Sequence, residues 1–326
     1  MEAGGIFEKR APETFRSDGG NGKCLSDCVS EYLVYLRSVL VLSDNTVSAY
    51  GNDLGQFLEM PWIDGKADVR SVRTEHLRQC IGELSRKKRA ASSINRFIAA
   101  FRSMFAYCRK VGYIDVNPAL AVKSVKAPKR LPRFMTQAEV DELCAQPSVN
   151  EILWEKRDRA LFEMMYSSGC RVSEISGMSL SDVSPDFSQA VVTGKGRKDR
   201  IVYFGDDAVK AMREYIEDRK VRFGMLNLQT EKSFFVNQNG TRLSVRGISY
   251  ILARYSGEEG TNHHVSPHAF RHTFATALVT NGADVRLVQE LLGHSSISTT
   301  QRYTHISTEK MIELYNKAHP HGGDKK

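Results

Sequence analysis

HVSPHAFRHTFATALVTNGADVRLVQELLGHSSISTTQRYTH, residues 264–305, is the stretch on which the rest of the chain turns. Its apolar residues recur at helical spacing. Pro267 suits a first helical turn, and Phe270, Phe274, Ala277 and Leu278 make one buried face. Asp284 reads as the cap of a second helix over Val285–Leu292, with Val285, Val288, Leu291 and Leu292 inward and Gly293 as its stop. Ser295–Arg302 predicts a third, short helix, with Tyr303 on it or just past its end. This helical frame carries His268, Arg271, His294 and Tyr303 within about forty residues. His268 and Arg271 are three apart and project from one side of their helix.

That combination of side chains suits chemistry on a phosphate. A phosphodiester attacked at phosphorus gathers negative charge on its non-bridging oxygens, and planar guanidinium forks are the best match for that charge. Arg271 supplies one fork. Arg171 is the candidate for the second, because it opens a helix just after Gly169, and Glu174 one turn on is placed to orient it. A tyrosine hydroxyl, with an ordinary pKa near 10, needs a base and a positive field before it is a useful nucleophile. The departing oxygen needs an acid, for which Lys195 in a glycine-flanked hairpin loop is placed, with Lys198 as the other candidate.

Each fragment also has an ordinary structural explanation. A tyrosine near a C-terminus is usually core or interface, a helical HxxR is usually a surface pair, and GKGRK on a hairpin is usually a solvated turn. His268 and His272 have zinc-pair spacing, yet the glutamate of HExxH is missing, so no metal is expected. The set in order, RxxE, GKG hairpin, HxxR, LGH and then tyrosine nine residues on, is what favours a site.

Upstream, residues 1–24 are Gly-rich and polar and predict a disordered tail. Gly19–Lys23 (GGNGK) lacks both the preceding strand and the following Ser or Thr of a phosphate loop. Residues 25–118 read as a helical domain. Helices are predicted over Asp27–Leu42, Thr46–Met60, a segment from Thr74 and Ser92–Lys110. The last has an apolar face flanked by Arg96, Arg102, Arg109 and Lys110, which reads equally as a solvated flank or as a DNA-backbone contact. Residues 119–134 form a basic linker. Within it Lys123–Arg133 holds Lys123, Lys126, Lys129, Arg130 and Arg133, two prolines and no acid, and suits tracking along phosphates.

Thr136–Glu139 is a capping box opening a second, mixed domain over residues 135–318, ahead of a polar tail at 319–326. Here Trp154–Ser167 reads as a buried helix. Ala190–Thr193 and Arg200–Phe204 read as strands of a hairpin, and Ala208–Phe223 and Ser244–Tyr255 as helices. A second hairpin is expected around Asn239-Gly240. The fold class is therefore mostly α in two domains, the second α+β with small antiparallel hairpins.

Composition sets bounds. A net charge of +8 over 326 residues favours an anionic partner, weakly by itself. No apolar run approaches the roughly 18 residues that span a bilayer, and the N-terminal residues lack the apolar segment of a secretion signal. The six cysteines, at 24, 28, 80, 108, 144 and 170, have no paired CxxC spacing, so reduced thiols and a cytoplasmic setting are expected.

SSGCRVSEISGMSLSDV, VVTGKGRKDRIVYF and the stretch from Ser266 to Ser307 resemble in turn the first arginine motif, the lysine hairpin and the longest block of the tyrosine recombinases, bacterial XerC/XerD type. SDNTVSAYGNDLGQFL and SSINRFIAAFRSMFAYCRKVGYIDVNPA are similar to that family's helical, SAM-like core-binding domain. The likeness covers nearly everything after residue 25. YNKAHPHG is similar to the Xer tail and leans to XerC, although His321 stands where the family has arginine, which leaves XerC against XerD open.

The resemblance implies catalysis by Arg171, Lys195, His268, Arg271, His294 and the nucleophile Tyr303, supported by Glu174, without cofactor or metal. It implies DNA contacts among Arg96, Arg102, Lys126, Lys129, Arg130, Arg197, Lys198 and Arg200. The implied partners are double-stranded DNA bearing a dif-like site, three further subunits in a homo- or heterotetramer with a second Xer-type recombinase, and a septal DNA translocase as activator. The segment after Tyr303 would dock on a neighbouring subunit. The alternatives are a phage or mobile-element integrase or a lone type IB topoisomerase of the same chemistry, a DNA-binding protein without catalysis, and a metal-dependent nuclease.

Overall fold

A computed structural model describes residues 23–126, 135–194, 198–257 and 265–293, together with 315–316 and 318–320. The chain divides into two compact units, between residues 130 and 131.

The first unit contains α1 (Leu25–Ser38), α2 (Asp44–Leu58), α3 (Thr74–Arg86) and α4 (Ala91–Lys110). Ser43 starts α2 by accepting from the Thr46 N–H, which satisfies one of the donors a helix leaves orphaned at its start. The long α4 is the spine, because its apolar stripe of Ile94, Phe97, Ile98, Phe101, Met104, Phe105 and Cys108 is wholly buried. Phe101 meets Phe57 and Phe97 edge-on at ring separations of 4.8 and 4.6 Å, the arrangement aromatic quadrupoles prefer. The chain beyond α4 does not leave at residue 118, where the sequence suggests the domain ends. Ala119 and Val122 are buried in the same core, and the Asn95 side chain bonds both the N–H and the carbonyl of Val125. Lys123 and Lys126 therefore stand exposed on a segment pinned to this unit.

The second unit is built on α6 (Glu155–Ser168), buried on nearly every side. Around it pack α5 (Gln137–Val149), α8 (Asp206–Thr230) and α10 (Pro267–Thr280). Between α6 and α8 come the short α7 (Val172–Gly177) and a hairpin of β1 (Gln189–Thr193) and β2 (Asp199–Tyr203), antiparallel with Val191 opposite Ile201. α9 (Val245–Tyr255) and α11 (Val285–Leu292) complete the described helices. Thr136 and Glu139 close the expected capping box, and Ser244 and Asp284 cap α9 and α11. α8 is broken at Gly224, whose φ of 74° is non-helical, just after the predicted end at Phe223.

Three expectations are refined or corrected. The hairpin at Asn239-Gly240 is present but too short for two strands. It is one bridge, Val236 to Arg242, flanked by bonds from the Asn237 N–H to the Thr241 carbonyl and from the Leu243 N–H to the Phe235 carbonyl. It stops there because Phe234 bonds its N–H to the Met178 carbonyl instead. Val285 is 54% exposed, whereas Val288, Leu291 and Leu292 of α11 face the core. His319 is no part of a polar tail, for it is buried, stacked on Tyr315 at 5.0 Å and set against Tyr166 and Phe274. Tyr315 itself donates to the Ser167 carbonyl at 3.0 Å, so Tyr315, Ala318 and His319 pack on their own domain.

Candidate active site

Gly169 ends α6 in the left-handed region, with φ of 59°. A Cβ there would lie 2.4 Å from a ring carbon of Phe274, so only glycine lets α10 approach this closely. The sharp stop turns the chain into α7, with Arg171 at its N-cap position. Glu174 reaches back one turn. Its carboxylate accepts from the Arg171 N–H at 2.7 Å and from the Arg171 guanidinium at 2.8 Å. The RxxE spacing thus supplies the glutamate half of a capping box, a carboxylate on the N-cap N–H, and the same carboxylate fixes the arginine side chain.

A second arginine closes on the same carboxylate. Arg200 from β2 donates through Nη1 and Nη2 to the two oxygens of Glu174 at 2.7 and 2.9 Å, a bidentate pair. Its Nε donates to the Leu291 carbonyl at 2.9 Å. Burial by itself would raise the Glu174 carboxyl, but Arg200 and the Arg171 N–H outweigh it and hold the pKa below the ordinary value of 4.5. Glu174 is therefore a fixed anion at neutral pH.

Arg271 comes from the first turns of α10, across the joint. It donates to the Gly169 carbonyl at 2.7 Å and to the Leu292 carbonyl at 2.6 Å, which set the plane of its guanidinium. Burial first, and the charge of Arg171 second, push its pKa down to about 10. Two guanidiniums thus bond the Glu174 carboxylate, and a third, Arg271, bonds only backbone carbonyls while feeling the charges of Arg171, Glu174 and Arg200. Among the described residues this is an excess of positive charge in a half-buried place, a standing attraction for an oxyanion. Cys170, between Gly169 and Arg171, is no competing nucleophile, because burial pushes its thiol up to about 11.

His268, one turn before Arg271, is exposed at the start of α10. The remaining expected residues connect to this frame through the chain. Gly194, the residue before Lys195, lies where a Cβ would be 3.6 Å from Glu174 and 3.7 Å from Arg200. Gly293, the residue before His294, ends α11 in the left-handed region and lies against the Arg200 stem. Lys195, His294 and Tyr303 themselves lie outside the described residues, as do Lys129, Arg130 and Arg197.

Of the DNA-contact candidates, Lys126 and Lys198 are exposed. Arg96 is half exposed and holds buried Asp53 through two bonds of 2.8 and 2.9 Å, while Arg102 donates to the Val122 carbonyl. Arg200 is a correction. With its side chain 12% exposed and its fork closed on Glu174, it faces the protein rather than a duplex. Strand alternation carried the signal, since Arg200 shares a face with buried Val202 while Asp199 and Ile201 point outward.

The family model of the phage integrase family matches residues 133–310, and that of the phage integrase N-terminal SAM-like domain matches residues 29–112. The tyrosine recombinase XerC of Treponema denticola is 40% identical over 306 residues, 91% of this chain and 100% of that one. The tyrosine recombinase XerD of Staphylococcus epidermidis is 34% identical over 298 residues, 91% of this chain and 99% of that one. A lambda integrase tetramer bound to a Holliday junction shares the fold with a TM-score of 0.64 at 18% identity, over 86% of this chain and 76% of that one. The Tn1549 transposon integrase in complex with transposon right-end DNA does so with a TM-score of 0.65 at 18% identity, over 88% and 97%.

Helical unit, mixed unit and arginine-framed anion site together define a class, the site-specific DNA recombinases that work through tyrosine. The chain belongs to the phage integrase family and, within it, to the XerC/XerD type of tyrosine recombinase.

Proposed function

We propose that this enzyme cuts and rejoins DNA through a covalent bond between Tyr303 and the 3′ phosphate of the broken strand. The Tyr303 oxygen attacks the scissile phosphorus, the bond from phosphorus to the 5′ oxygen breaks, and a 5′ hydroxyl is released. His268 accepts the tyrosine's proton, and Lys195 gives one to the departing oxygen. Arg171 and Arg271 bind the non-bridging oxygens, with His294 adding a hydrogen bond. The phosphotyrosyl bond conserves the energy of the phosphodiester, so a 5′ hydroxyl from a partner duplex can reverse the attack without ATP or metal.

The observation that carries this function is the arginine frame. Arg171 is fixed on Glu174 and Arg271 on the Gly169 carbonyl, and among the described residues the Glu174 carboxylate that faces them is itself shared with Arg200. Such preorganised charge strengthens as a phosphate gathers charge on the way to its transition state. The exposed Lys126 and Lys198, with Lys129, Arg130 and Arg197, would contact the DNA backbone and make binding steeply salt-dependent.

In the cell we assign the enzyme to resolving chromosome dimers at a dif-like site in the cytoplasm. It would act there as a tetramer on two duplexes, with a second Xer-type recombinase and a septal DNA translocase as activator. Among the described residues no helix is long and apolar enough to cross a membrane. The test is trapping on a nicked suicide duplex carrying a dif-like site. Wild type should give an SDS-resistant protein–DNA complex and Tyr303→Phe none, while both bind the duplex alike. An adduct surviving in Tyr303→Phe would remove Tyr303 from its role.

A further inference from the structure

Arg200 stands where three elements meet. It issues from β2, its fork holds both oxygens of Glu174 on α7, and its Nε holds the Leu291 carbonyl at the end of α11. Arg271 takes the next carbonyl, Leu292, so the last turn of α11 hangs on two arginines. Gly293 makes this possible, because a Cβ there would lie 3.1 Å from the Arg200 Cδ and press on its stem. Gly194 lies against Glu174 and Arg200 from the hairpin side, at ordinary contact distance, where a Cβ would be 3.6 Å from Glu174 and 3.7 Å from Arg200. The residues that follow these two glycines are His294 and Lys195.

We propose that Arg200 is a positioning residue for strand cleavage, a three-way clasp that sets Arg171 through Glu174 and steadies Gly194 and Gly293, the residues that precede Lys195 and His294 in the chain. The clasp rests on the mechanism above and assigns Arg200 no contact with DNA. Its geometry requires a guanidinium. A lysine ammonium retains the charge but cannot bind two carboxylate oxygens and a carbonyl in one plane. Loss of the clasp shifts catalytic groups by ångström amounts, and misplacement on that scale costs about 100-fold in rate.

The experiment compares Arg200→Lys and Arg200→Ala with wild type on the nicked suicide duplex, measuring single-turnover cleavage and DNA affinity over a range of salt. Both variants should cleave about 10–100-fold more slowly with Kd within about twofold and an unchanged salt slope. A phosphate contact would instead lower the slope by about one and be largely restored by lysine. Because Arg200 acts partly through Glu174, combining Glu174→Gln with Arg200→Lys should slow cleavage by less than the product of the two single effects. Wild-type affinity in the same preparations shows the variants are folded, and if Arg200→Ala does not fold, Arg200→Lys carries the test. Cleavage by Arg200→Lys at the wild-type rate, or a reduced salt slope, overturns the clasp. Absence of any Tyr303 adduct in wild type would instead overturn the mechanism on which it rests.

Discussion

Gly169→Ala puts the joint between α6, α7 and α10 under a calculable load. The residue sits at φ of 59°, where an L side chain costs about 1–2 kcal/mol. The new methyl would also lie 2.4 Å from a ring carbon of Phe274, which is 1% exposed and has little room to yield. Overpacking of this kind costs about 1–3 kcal/mol. Together these terms destabilise the second unit by about 2–5 kcal/mol, or roughly 4–20 °C in melting temperature for a domain of this size. The effect should extend to chemistry, because the Gly169 carbonyl is one of the two acceptors that set the Arg271 guanidinium.

The assay is a urea melt of the full chain followed by near-ultraviolet circular dichroism, with Phe274→Leu and the double variant completing a cycle. Shortening Phe274 relieves the clash and leaves the backbone strain, so the two changes should couple favourably by about 1–3 kcal/mol. A Gly169→Ala protein within about 0.5 kcal/mol of wild type, or strict additivity in the cycle, would refute the packing argument.

Two further outcomes follow, the first from the same geometry and the second from the proposed mechanism. Glu174→Gln leaves Arg171 and Arg200 without their anion and should destabilise by about 3 kcal/mol at neutral pH. Since the folded pKa of Glu174 lies below 4.5, its stabilisation is complete above that pH and is lost as pH falls through the folded value. Melts of wild type and variant should therefore converge in acid, and a gap that widened there would contradict the ion-pair assignment. Lys195→Ala should slow cleavage of ordinary DNA and recover on a substrate whose 5′ leaving oxygen is replaced by sulfur, which needs little acid help. Failure to recover would move the acid role to Lys198 or another group.

Much of the frame was legible because it depends on local rules. Ser43, Thr136, Ser244 and Asp284 announce helix starts by offering side-chain acceptors, and Gly169 and Gly293 announce stops by accepting a positive φ. RxxE is a local motif too, so Glu174 could be paired with Arg171 from spacing alone. Arg200 is hidden from the sequence because a charge beside a basic loop suggests surface, whereas its partners are 26 and 91 residues away in the chain. Strand alternation points inward, but nothing local names an acceptor. His319 is hidden for a related reason, since its place depends on Tyr315, Tyr166 and Phe274 meeting in three dimensions. The ends of the first domain were blurred likewise, because Asn95 captures Val125 thirty residues downstream.

The most direct test of the central claim is to find the atom that holds the DNA. The complex trapped on the nicked suicide duplex would be digested with nuclease and protease, and the modified peptide sequenced by mass spectrometry. The mechanism predicts one nucleotide-bearing peptide, containing Tyr303, linked through a 3′ phosphate. A modification on any other residue, or a link through a 5′ phosphate, would contradict it.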